Sequence, residues 1–143
     1  MLKIKEGESF YINVVEFRGF IHLHQVMKAL FDIAYEVRVT LYDEPLSDKA
    51  LKEIIDRYLD KYNLYISSIP YKTFKTANKY CSKICDGETE NTFKIEIYKK
   101  ELETLYSCYV TNRSVFDKKK WERHEIFLDS TLLKALFNVE VVE

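Results

Sequence analysis

Lys72, Lys75, Lys79 and Lys83 stand in the stretch from Tyr71 to Cys85 (YKTFKTANKYCSKIC), which contains no acid. On a helix their spacing of 3, 4 and 4 places them in a band about 80° wide. Phe74, Ala77, Cys81, Ile84 and Cys85 fall on the opposite side. Like charges four residues apart repel by a few tenths of a kcal/mol, so helix stability does not select this arrangement. The chemistry it offers is docking, onto phosphates or onto an acidic protein surface, with Tyr71 at its edge. The competing account is a solvated face balanced by the acids that follow, Asp86, Glu88, Glu90, Glu96, Glu101 and Glu103.

A second basic run, Lys118-Lys119-Lys120, precedes Trp121 and Arg123. A lone tryptophan beside cations can stack on a nucleobase or a guanidinium plane. The plainer alternative is a basic turn that leads into a strand with Trp121 buried. If the two runs share a surface, single-stranded nucleic acid becomes a candidate partner.

The histidines suggest a different chemistry. His22-x-His24 on a strand would turn both rings to one face and could hold a metal. On a helix the same rings diverge by roughly 200°. His124, among Glu122, Glu125 and Asp129, could join them in a small metal- or histidine-dependent hydrolase or nuclease. Nothing but composition pairs these residues, so no metal, cofactor or catalytic residue is expected. Cys81 and Cys85, four apart, point together toward a core as small hydrophobes. A Cys108–His124 nucleophile pair has no identifiable activating neighbour. Walker A, G-x-G-x-x-G, G-x-S-x-G and H-E-x-x-H patterns are absent.

Composition agrees with recognition by side-chain surfaces. The 143 residues include 3 glycines and 2 prolines, against 11 tyrosines and 9 phenylalanines. A chain this poor in glycine has no glycine-rich loop to cradle a phosphate, while its aromatic rings supply contact area at low entropic cost. The formal net charge of −1 gives no global pull toward nucleic acid or membrane. No apolar run approaches the roughly 20 residues of a membrane span, and no signal peptide is visible at the first residues. With an odd three cysteines, a reducing cytoplasmic setting is expected.

The elements that must position these residues are legible in part. Ser47 can cap a helix through Tyr62, with Leu46 and Leu51 at its staple positions and Asn63 as its stop. Its apolar face is Leu51, Ile54, Ile55, Tyr58, Leu59 and Tyr62. Residues 10–17 form a strand apolar on both faces. Phe20, Leu23, Met27, Leu30, Phe31 and Ala34 step at helical intervals. Val37, Val39 and Leu41 alternate as a half-buried strand. Strands are also expected over 64–69, 93–98 and 121–128; in 102–111, Leu102, Leu105, Tyr106 and Tyr109 fit a helix while Tyr106, Cys108 and Val110 fit a strand, and β-propensity favours the strand. Ser130 can cap a short helix through Phe137, and Val139–Val142 can close a sheet edge. Helices early and strands late argue for one α+β domain over 1–143, a mostly antiparallel mixed sheet with three to four helices packed on it.

Compact size, aromatic content and the lack of catalytic motifs resemble, in style, small proteins of viruses and mobile elements that inhibit host machinery by contact. The expectation is a non-enzymatic intracellular binding protein. It would dock through Tyr71, Lys72, Lys75, Lys79, Lys83, Lys118, Lys119, Lys120, Trp121 and Arg123 onto an acidic protein surface or nucleic acid. A homodimer through Val139–Val142 is also expected, because nothing blunts that apolar strand.

Overall fold

The computed structural model describes residues 1–16, 23–40, 46–69, 92–100, 104–112 and 123–142; at 13, 15, 16, 67–69, 92 and 112 only the backbone is described. In chain order the elements are β1 (Leu2–Lys5), β2 (Ser9–Glu16), α1 (Leu23–Thr40), α2 (Asp48–Lys61) and β3 (Leu64–Ile69). They continue with β4 (Thr92–Lys99), β5 (Leu105–Asn112), β6 (Arg123–Asp129), α3 (Ser130–Phe137) and β7 (Val139–Val142). The fold is α+β.

Five strands form an antiparallel sheet in the order β3-β2-β4-β5-β6. Each strand alternates, so the sheet has two chemically different faces. One face carries Phe10, Ile12, Val14, Phe93, Ile95, Ile97, Cys108, Val110, Ile126 and Leu128, all buried. The three described helices pack on that face, α1 and α3 against β6, α2 and α3 against β3. Phe10 and Phe137 meet there with ring centroids 5.5 Å apart. A fully buried side chain of this size contributes about 1.5–3 kcal/mol. No described helix is long and apolar enough to cross a membrane.

Local chemistry accounts for the ends of the elements. Ser47 Oγ accepts from Ala50 N at 3.2 Å, and Asn63 leaves α2 in a left-handed conformation at φ 53°. Asn138 ends α3 in the same way at φ 55°. The turn from β1 to β2 places Gly7 at φ 83°, a value costly for any residue with a Cβ. There Gly7 N donates to Ile97 O at 2.8 Å and fastens the turn to β4.

Several expectations are corrected. Val37 and Val39 lie in the last turns of α1, not in a strand. The alternation of β-branched residues hid a helical stripe, Val26, Leu30, Ile33 and Val37, which is buried along its length. Phe31 falls off that stripe and is exposed, although the sequence placed it inward. Asp129, not Ser130, caps α3; its Oδ1 accepts from Leu132 N at 2.7 Å. Val139–Val142 does not extend the large sheet. It pairs in parallel with β1, a strand the sequence reading missed, in the register Leu2↔Val139 to Lys5↔Val142.

β3 and β4 both run antiparallel to β2 and lie on either side of it. They are therefore parallel to each other. The expected helix over 71–85 lies outside the described residues.

Candidate binding site

The other face of the sheet holds the best-defined cluster of polar and aromatic side chains. Lys94, Glu96 and Tyr98 alternate outward from β4, and Tyr109 and Thr111 from β5. The pairs Glu96↔Tyr109 and Thr111↔Arg123 bring Arg123, the first residue of β6, alongside them. Glu96 is the hub. Its Oε1 lies 3.7 Å from the Arg123 guanidinium and 4.0 Å from Lys94 Nζ. Its Oε2 accepts from the Tyr98 hydroxyl at 3.2 Å.

The rings and the guanidinium form a second layer of contacts. Arg123 Cζ lies 4.0 Å from the Tyr109 ring centroid, a stacked cation–π distance. Tyr98 meets Tyr109 edge-on, with centroids 5.7 Å apart. The Glu96 charge and the hydrogen bond to it hold the Tyr98 hydroxyl above its ordinary pKa, so at neutral pH it remains a donor. Arg123 keeps about half of its side chain in solvent (49% exposed), which leaves a planar cation facing outward from the sheet.

Of the expected docking residues, Arg123 is the one described, and it falls within this cluster. Tyr71, Lys72, Lys75, Lys79, Lys83, Lys118, Lys119, Lys120 and Trp121 lie outside the described residues. Glu96, Tyr98 and Tyr109 were visible in the sequence only as separate residues. Their common face follows from the strand register.

The catalytic alternatives find no support among the described residues. His24 is exposed on the first turn of α1 and His124 is exposed on β6. No group of three or more His, Cys, Asp or Glu among the described residues is placed to hold a metal ion; His22 lies outside them. Cys108 is buried on the core face, and burial pushes its thiol up to about 12, the opposite of an activated nucleophile.

Comparison with protein-family models, with curated proteins and with solved structures finds no match to this chain.

Proposed function

We propose that this is a small non-enzymatic binding protein that docks an anionic partner, an acidic protein surface or nucleic acid. The observation that carries this reading is Arg123 laid on Tyr109 at the outer face of the sheet, held there by Glu96. Ordinary solvated strands cover such a face with separate mobile charges. Here a cation is oriented in advance, which lowers the ordering cost of recognising an anion or a flat π-system. In this reading Lys118–Lys120 and Trp121, adjacent in sequence, and the lysine stripe at 72, 75, 79 and 83 widen the docking face. The stacked guanidinium favours nucleic acid to the extent that a base can continue the stack.

The test measures binding of a random-sequence single-stranded RNA and of poly-glutamate, at low and at high salt. The parent protein is compared with Lys75→Glu/Lys79→Glu/Lys83→Glu and with Arg123→Glu. Exposed charge changes usually cost less than about 0.5 kcal/mol each, so the variants should fold. The expected result is salt-sensitive binding of at least one polyanion, weakened in both variants. A steep loss with salt on RNA alone assigns nucleic acid through counterion release. If neither polyanion binds at low salt, or both variants bind as the parent does, the reading fails.

A further inference from the structure

A second surface lies on α1. At 100° per residue, His24, Lys28, Phe31, Tyr35, Arg38 and Val39 fall within an arc of about 100°. All six are exposed, Phe31 at 49%, Tyr35 at 72% and Val39 at 58%. The arc contains no acid. Asp32 and Glu36 point to its flank and are held by α2, where the Tyr62 hydroxyl donates to Asp32 Oδ2 at 2.5 Å and Arg57 meets Glu36 Oε1 at 2.9 Å.

Beside this arc runs a groove of about 340 Å³, lined by Phe31, Asp32, Ala34, Tyr35, Ile126 and Phe127, with the Asp32 carboxylate engaged by the Tyr62 hydroxyl. Arg38 lines the same groove. One of its nitrogens donates to Phe127 O at 2.7 Å, which fixes the guanidinium while leaving further N–H donors of its five. A larger groove of about 410 Å³ lies between α2, α3 and β3, but Asp48, Asp56, Lys52 and Lys134 line it with balanced charge. The α1 groove sets the exposed rings of Phe31 and Tyr35 beside the Arg38 guanidinium, and Lys28 adds a second cation on the same arc.

We propose that the outer arc of α1 and its groove bind the apolar face of an acidic amphipathic helix of another protein. Phe31, Tyr35 and Val39, one turn apart from one another, would take the partner's i, i+4 anchors. Lys28 and Arg38, about 15 Å apart along the axis, would face its carboxylates. A second copy of this chain fits worse. Antiparallel pairing that sets Phe31 on Tyr35 of the copy also sets Lys28 on its Arg38. Parallel pairing aligns like with like. The inference goes beyond the docking face proposed above and rests on different residues.

The experiment is selection of a displayed random-peptide library on the wild-type protein, with the Tyr35→Ser/Arg38→Glu variant as counter-target. The expected winners carry Asp or Glu around aromatic or aliphatic residues spaced i, i+4. A synthesised winner should bind wild type at least about tenfold more tightly than Phe31→Ser or Arg38→Glu, and its Lys-for-Glu version should not bind. Thermal melts confirm that the variants fold. If Tyr35→Ser or Phe31→Ser does not, Lys28→Glu on the same arc supplies the comparison. Overturning results are no enrichment, winners that are basic or uncharged, or equal binding to the folded variants. Wild-type dimers or RNA complexes dispersed by Tyr35→Ser also overturn it. Lys75→Glu/Lys79→Glu/Lys83→Glu should leave peptide binding unchanged, which separates failure here from failure of the first face.

Discussion

Helix α2 turns Leu51, Ile54 and Ile55 inward and covers its outer side with Lys49, Lys52, Glu53, Asp56, Arg57, Asp60 and Lys61. Helix α1, packed beside it, buries a longer stripe from Leu23 to Val37, yet its outer side carries Phe31, Tyr35 and Val39 between cations. Both inner faces obey the same periodicity. The outer faces differ because α2 shows water both signs of charge, which neither attract nor repel a partner strongly. The α1 surface keeps apolar area in water beside the cations Lys28 and Arg38. Inner stripes report the fold, and the outer stripe that departs from the ordinary reports the contact.

The sharpest way to break this comparison is to exchange inner and outer residues of α1. Leu30→Ala, at a fully buried position, should cost about 2–5 kcal/mol in denaturant unfolding. Tyr35→Ser should cost less than about 0.5 kcal/mol. Comparable losses from the two would mean that Tyr35 belongs to the core and that the outer stripe is scaffold.

Smaller effects sharpen the α2 side. Ser47→Ala removes the acceptor for Ala50 N and should lower stability by about 1 kcal/mol, read from the shift in denaturation midpoint. Tyr62→Phe removes the hydrogen bond that joins the helices through Asp32 and should cost about 0.5–1.5 kcal/mol. That gap has a defined pH dependence. The bond to Asp32 raises the Tyr62 hydroxyl above its ordinary 10.0, so the protonated form is favoured in the fold. The stabilisation is then fully present below pH 10 and disappears as pH rises through the raised value. Wild type and Tyr62→Phe should converge in alkaline unfolding titrations, while a constant gap would point to packing as the cause. Lys52→Glu, on the charged outer face of α2, should move the melting midpoint least, corresponding to under about 0.5 kcal/mol.

The two helices also show where sequence reasoning succeeds. In α2 the signals agree: the Ser47 cap, the buried stripe and the Asn63 stop all stand where they were expected. In α1 the signals conflict. Val37 and Val39 alternate with polar neighbours, and β-branched residues favour strands. Packing of Val37 against the rest of the stripe overrides that preference. In the large sheet β4 and β6 were legible from alternation, β2 from an apolar run, and β5 from β-propensity, because its spacing fits a helix as well. Their register was not legible, because it depends on pairing between residues distant in the chain. The Glu96–Tyr98–Tyr109–Arg123 cluster exists only through that register, so single-sequence periodicity could name its members without joining them. The β1–β7 pair was missed for the same reason, since Leu2–Lys5 is too short to declare itself without its partner.

That pair gives the molecule a timetable. Gly7 and Glu6 tie the end of β1 to β4, through Ile97 O and Lys99 N, and Ile4 is buried in the core. Yet among the described residues the strand that β1 hydrogen-bonds to is β7, Val139–Val142. Contacts this distant in sequence slow folding, because a long loop must close before any bond rewards it. A ribosome makes β1 before β7, so Leu2–Lys5 have no partner strand until Val139–Val142 have been added.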